Sequence, residues 1–244
     1  MKEFQKLKKK YALNNSYFKN RLPDAPANPF EVIDYFGQHG ELPYENGQMT
    51  DNWFYDCFVE YQKRAGVFNS QFFTPTKTAE EIANILSLYA NTDEEILEPC
   101  CGFGQITRQL INLGFSDIQA FDNDEKMINA CKDLFQPDKS DYLDVYVHDY
   151  KNFDHFHMGH QYPFIVANPP YEVKELTSFL EYVREKLYSK GIAVLLIPSG
   201  FLDKTRPAKL VGIFYDFAIL ERRTMNESFA RTGVNAEIVV LRKI

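Results

Sequence analysis

Pro163-Phe164-Ile165-Val166-Ala167-Asn168-Pro169-Pro170-Tyr171 runs from apolar residues straight into a proline-stiffened turn. A short apolar run bounded by a turn reads as a buried strand, and the prolines fix the backbone where it ends. The turn gathers a side-chain amide (Asn168), a backbone carbonyl (Pro169) and an aromatic face (Tyr171). Together they are equipped to grip a planar, nitrogen-bearing group and present it to an electrophile. The plain alternative is a strand ending in a proline turn with an aromatic plug.

Outward from this stretch, strands and helices alternate. Residues 76–89 read as a helix with Ala79, Ile82, Ile85 and Leu86 on its apolar stripe. Residues 95–98 form a strand, 105–113 a helix, 118–121 a second strand, and 124–134 a helix carrying Met127, Ile128 and Cys131. Residues 145–148 and 164–167 are the third and fourth strands, 176–187 a helix, and 191–198 a nearly all-apolar fifth strand. Residues 204–214 read as a short helix, and 217–220 and 237–241 as closing strands. Strands separated by helices predict an α/β fold, a mostly parallel sheet covered on both faces. Ligands bind such sheets beyond the carboxyl ends of the strands.

Before this region, residues 1–48 are polar and broken by Pro23, Pro26, Pro29 and Pro43, with a short helix at 29–36. Trp53, Phe54, Cys57, Phe58 and Tyr61 recur at spacings of three and four, which predicts a helix over 51–65. The expected organisation is a helical N-terminal extension over residues 1–69 and an α/β domain over 70–244.

Hydrophobic content of 45% is ordinary for a globular chain, and the net charge of −7 disfavours coating nucleic acid by charge alone. From residue 201 onward, eight Lys/Arg stand against five Asp/Glu, a local excess of +3 that suits phosphates on one side or, equally, scattered solvation. Cys57, Cys100, Cys101 and Cys131 show no C-x-x-C spacing, so neither a zinc site nor a disulfide framework is indicated. His148, His155, His157 and His160 are irregularly spaced and do not read as metal ligands. No apolar run approaches the ~20 residues of a membrane span. The basic first ten residues lack a secretory signal's apolar segment. The expectation is a cytoplasmic protein with no membrane partner.

Glu98-Pro99-Cys100-Cys101-Gly102-Phe103-Gly104 lies between the first strand and its helix. Gly102 and Gly104 permit a tight turn and close approach of a ligand, or simply an ordinary strand–helix connection. The third glycine and Lys-Ser/Thr of a phosphate cradle are missing, and Glu98 favours a ligand carrying a cation. Asp122 ends the second strand, where an acid accepts from ribose hydroxyls or caps the next helix. Asp149, after the third strand, suits an adenine amino group. Together these residues describe a site for a nucleoside with a positive group and no phosphate, which S-adenosylmethionine fits better than NAD or ATP.

On these motifs, from about residue 70 to the C-terminus, the chain resembles the amino-methyltransferases. It is most similar to the N6-adenine DNA methyltransferases of restriction-modification type that carry Asn-Pro-Pro-Tyr. Ser70-Gln71-Phe72-Phe73-Thr74-Pro75 resembles the family segment whose threonine helps hold the methionine carboxylate, and residues 191–202 resemble its fifth-strand block. Cys100-Cys101 occupies positions that the family often fills with small residues. The resemblance implies a Rossmann-like fold whose seven-stranded sheet has one antiparallel strand near its edge, here 237–241. It also implies S-adenosyl-L-methionine as cofactor, with S-adenosyl-L-homocysteine as product. The cofactor residues it implies are Phe73, Thr74, Glu98, Cys100, Gly102, Gly104, Asp122, Asn123, Asp149, Tyr150 and Asn168. Asn168, Pro169, Pro170 and Tyr171 would be catalytic, and Tyr171, Phe229 and Arg231 would bind substrate. Phe229 reads equally as a loop anchor, and Arg231 as a solvated charge.

The chemistry agrees with that resemblance. An exocyclic amine on a purine is a poor nucleophile because its lone pair is delocalised. Accepting its two hydrogens on the Asn168 side-chain oxygen and the Pro169 carbonyl favours a pyramidal nitrogen and exposes that pair. Catalysis is then mainly positioning and electrostatics. A base inside a duplex must be flipped out at a cost of a few kcal/mol, against which stacking on Tyr171 returns ~1–3 kcal/mol. The expected partner is nucleic acid, DNA before RNA. No target-recognition segment follows the last strand, so site selection is expected to be weak or supplied by a specificity subunit or other partner protein. RNA amino-methylation, glutamine methylation of release-factor type, and a non-catalytic binding or anti-restriction module are the alternatives.

Overall fold

The computed structural model describes residues 74–135, 142–152, 159–203, 212–213, 215–225 and 235–244. The expected helices at 29–36 and 51–65, the 1–69 extension and nearly all of the 204–214 helix lie outside them. The elements run α1 (Thr76–Leu86), β1 (Ile96–Pro99), α2 (Gln105–Asn112), β2 (Ile118–Asp122), α3 (Glu125–Phe135), β3 (Leu143–Val147), β4 (Tyr162–Ala167), α4 (Val173–Lys186), β5 (Leu187–Pro198), β6 (Phe217–Thr224) and β7 (Ala236–Lys243). The seven strands form one sheet in the order β3-β2-β1-β4-β5-β7-β6. The pairs from β3 to β5 are parallel, and β7 runs antiparallel to both β5 and β6. The reversed strand is the one expected at 237–241.

Two-residue alternation sorts the strand side chains to opposite faces. Ile96, Ile118, Val166, Val194, Leu196, Ile238 and Val240 pack on one side with Ile82 of α1, Leu110 of α2 and Ile128 of α3. Leu97, Ile165, Ala167, Ala193, Leu195, Val239 and Leu241 pack on the other with Leu176, Phe179, Leu180 and Val183 of α4. Both faces are covered, so the central strands are apolar throughout, as a buried parallel sheet requires.

Element boundaries differ from the sequence reading where backbone geometry overrides apolar pattern. β3 begins at Leu143, two residues early, because Leu143 pairs with Ile118 although exposed Asp144 interrupts the run. α4 starts at Val173, directly after the proline turn, with Val173 itself exposed. β5 begins at Leu187: Tyr162 faces Leu187, but Phe164 faces Ile192, so the strand bulges between them. Lys190 in the bulge takes a left-handed φ of 68°. Gly191 follows because a Cβ there would meet the Pro163 carbonyl at 2.9 Å.

The β1–α2 connection is tighter still. Cys100, Gly102 and Gly104 all have left-handed φ, at 57°, 55° and 74°. A Cβ on Gly104 would lie 2.5 Å from the Phe135 ring, which also carries the Arg108 guanidinium 4.6 Å over its face. Gly104 thus lets α3 close against the start of α2. Gly104→Ala should destabilise the protein by about 2 kcal/mol or more, summing left-handed strain and overpacking. Thermal denaturation of the variant checks this, and a melting temperature within a degree of wild type would refute it.

Candidate active site

A cleft of ≈ 880 Å³ opens at the carboxyl ends of β1, β2, β3 and β4. Of the sequence-expected residues, Thr74, Glu98, Cys100, Gly102, Asp122, Asn123, Tyr150, Asn168, Pro169, Pro170 and Tyr171 line it together. Phe73, Phe229 and Arg231 lie outside the described residues. Two expected residues are absent from its wall. Gly104 is turned to Phe135, as above. Asp149 stands two residues beyond the end of β3, where its carboxylate accepts from the Lys151 backbone amide at 3.0 Å, so this acid shapes a turn.

Glu98, at the end of β1, is 1% exposed and accepts from the Thr107 hydroxyl at 2.5 Å. Burial drives its carboxyl up to about 8; hydrogen bonds from Thr107 oppose the shift and the charge of Asp122 adds to it. Asp122, 7% exposed, accepts from the Gly102 amide on one oxygen and from the Asp124 amide on the other, each at 3.0 Å. Burial also raises its pKa, against the pull of those amides. Both readings of Asp122 therefore meet: it holds the turn into α3, and two oxygens with about four lone-pair sites leave room for ribose hydroxyls. Cys100 sits between these acids, and burial followed by the Asp122 charge pushes its thiol well up.

On the opposite wall, Asn168 Nδ2 donates to Thr74 Oγ1 at 3.0 Å. That bond assigns the amide's orientation, leaving Oδ1 as the second, acceptor end. Thr74, expected to serve the methionine carboxylate, is thus engaged as an acceptor with the Asn168 amide; its hydroxyl hydrogen is a separate donor. The Tyr171 ring is half-buried against the α1–α3 core while its hydroxyl oxygen is fully inside. Burial accordingly holds the phenol well above its ordinary range. Tyr150 crosses the floor: its hydroxyl donates to Glu175 at 3.0 Å, and its ring packs edge-on to Phe179 at 5.3 Å. Lys151 pairs with the same Glu175 at 2.5 Å, which, with the Tyr150 bond, lowers the Glu175 pKa.

The lining is strongly acidic: Glu98, Asp122, Asp124, Glu125, Glu172 and Glu175 face one lysine, Lys151, and His148. His160 of the sequence's histidine group lies elsewhere, paired with Glu95 at 3.0 Å. Gln105 was not singled out by sequence reasoning, yet it lines the cleft and is 3% exposed. A polar residue directly after the last loop glycine was the available signal. Among the described residues no helix is long and apolar enough to cross a membrane.

This is the fold of the class I S-adenosylmethionine-dependent methyltransferases. Such a protein from Listeria monocytogenes is similar with a TM-score of 0.63 and 14% identity, covering 80% of this chain and 68% of that one. Magnesium protoporphyrin IX methyltransferase (ChlM) from Synechocystis PCC 6803 with bound SAM is similar with a TM-score of 0.56 and 14% identity, covering 91% and 100%. TrmN from Thermus thermophilus gives 0.54 and 23%, covering 70% and 49%. At these identities the likeness is one of fold. In sequence, the chain is 23% identical over 209 residues to modification methylase CviBIII of Paramecium bursaria Chlorella virus NC1A, in keeping with the resemblance read from Asn-Pro-Pro-Tyr. The match covers 75% of this chain, which spans about half (52%) of that relative's length. No family model matches the chain.

Glu98 gives the site a pH signature. A carboxyl raised from 4.5 to about 8 in the folded state holds a proton that the unfolded chain has lost. Its contribution is therefore full below pH 4.5 and disappears as pH climbs to 8. Glu98→Gln should remove that part of the stability loss, on the order of a few kcal/mol, flattening the wild-type decline between pH 5 and 8. Denaturant melts of both proteins across this range measure it; parallel curves would contradict the buried-acid reading.

Proposed function

We propose that the protein transfers the methyl group of S-adenosylmethionine to the exocyclic N6 of adenine in DNA, leaving S-adenosylhomocysteine. The observation that carries this reading is the shared cleft: the Asn168–Tyr171 turn faces a loop lined with carboxylates. The residues fit such a cofactor, since the acids that line the cleft favour its positive groups and Asp122 has acceptor capacity for its ribose. When bound, the cofactor supplies a sulfonium-activated methyl group.

The chain's own groups would do the rest. Asn168 Oδ1, oriented through Thr74, and the Pro169 carbonyl accept the two amine hydrogens. That draws the nitrogen lone pair out of conjugation with the ring. Tyr171, anchored by its buried hydroxyl, offers its ring as a stacking platform for a flipped base. After transfer, the surplus proton on nitrogen passes to solvent. Glu172 and Glu175 beside the turn repel phosphates, so the base enters while its backbone stays at the rim. Preference for DNA over RNA rests on the likeness to a modification methylase.

Incubation with labelled S-adenosylmethionine and, in parallel, DNA, RNA and a release factor tests the assignment. Label is expected on adenine N6 of DNA. Label on RNA or on glutamine alone would overturn the polymer assignment, and absence of cofactor binding by calorimetry would overturn the enzyme assignment. Asn168→Ala should lower kcat about 100-fold or more, as loss of a preorganised electrostatic partner does. Tyr171→Ala should lose ~1–3 kcal/mol of base stacking, whereas Tyr171→Phe, keeping the ring, should retain most activity.

A further inference from the structure

Gln105 opens α2, immediately after the left-handed Gly104. Its side chain is 3% exposed, lines the cleft, and leaves Nε2 buried with no hydrogen-bond partner among the described residues. An amide donor in that condition costs stability and is tolerated where a ligand completes it. α2 also aims its first backbone N–H groups and the positive end of its dipole toward the same region. Orphan donor and helix terminus both call for an anion, within a cleft whose other side chains are mostly acids. Another donor in the same cleft lining is the hydroxyl hydrogen of Thr74, whose oxygen already accepts from Asn168.

A zwitterionic amino-acid group has opposite needs at its two ends. Its ammonium is served by the acids that line the cleft. Its carboxylate requires donors, and Lys151, the lining lysine, is tied to Glu175 at 2.5 Å. We propose that Gln105 is a cofactor-binding residue: its Nε2 donates to the α-carboxylate of the methionine moiety, beside the Thr74 hydroxyl. This rests on the proposed cofactor. With the carboxylate on Thr74, cofactor occupancy also steadies the hydroxyl that orients Asn168, linking the two halves of the site.

The test is calorimetric titration of wild type and Gln105→Met with two ligands, together with apo melting temperatures. S-adenosylhomocysteine carries the amino-acid end; 5′-methylthioadenosine keeps the nucleoside and sulfur but lacks it. Methionine preserves the side chain's length and apolar stem while removing the donor. The variant should bind S-adenosylhomocysteine about 10- to 100-fold more weakly, the range for a lost hydrogen bond to a charged group. It should bind 5′-methylthioadenosine within about twofold of wild type. Its apo melting temperature should equal or exceed wild type, because an unsatisfied buried donor has gone. Unchanged S-adenosylhomocysteine affinity, or equal loss for both ligands, would overturn the assignment while leaving the cofactor reading intact. So would a lower apo melting temperature, which marks a structural role. If wild type binds neither ligand, the cofactor reading itself fails and the role of Gln105 with it.

Discussion

One carboxylate organises the cleft end of this sheet. Asp122 leaves β2 and binds the Gly102 amide with one oxygen and the Asp124 amide with the other. The first bond fastens the loop after β1 to the neighbouring strand, reinforced by the Cys101 amide donating to the Phe121 carbonyl at 3.0 Å. The second sets the turn that launches α3. α3 then delivers Phe135 against Gly104, and Cys131 to within 3.1 Å of the Gly102 carbonyl. The path from Glu98 to Gln105 therefore depends on a buried acid whose hydrogen bonds offset only part of the cost of its burial.

The second half of the site hangs from a different frame. β4 is the central strand, paired with β1 on one side and β5 on the other, so the turn that follows it inherits a rigid base. Asn168 is fastened sideways to Thr74 at the head of α1, and Tyr171 backward into the α1–α3 core. The Asn168–Tyr171 turn and the loop after β1 are thus set by separate supports that meet across the cleft.

The sheet was legible from sequence because its central strands are apolar on both faces and are punctuated by Gly and Pro. Reversal of β7 was expected only through the family resemblance; nothing in 237–241 itself states direction. Boundaries failed where pairing, not pattern, decides, as at the bulge before Gly191 and the early start of β3. Glu98, Asp122 and Asn168, singled out because strand ends are where ligands bind, line one cleft. Asp149 was placed by the same rule; His148, Tyr150 and Lys151 around it line the cleft, while its own carboxylate closes a local turn. Thr74 lines the cleft as expected and also accepts from Asn168, and Gly104 was read as a ligand contact because one-dimensional spacing cannot show Phe135 arriving from elsewhere. Cys100 illustrates the converse. Its φ of 57° gives a physical reason for small residues at that position, since left-handed backbone costs a side-chain-bearing residue ~1–2 kcal/mol.

β6 has consequences away from chemistry. Among the described residues it forms one border of the sheet and pairs with β7 alone. Its register slips between Ile219 and Glu221, and the strand continues outward through Glu221, Arg222 and Arg223. Arg222 is clamped by Asp203, at 2.6 and 2.7 Å, and by buried Glu237, while Arg223 reaches Glu81 at 3.3 Å. A kinked border carrying pinned charges is a poor template for another chain's strand. The hydrogen-bonding capacity left open along this margin is thereby shielded from end-to-end sheet growth, the route by which exposed borders seed fibrils in crowded solution.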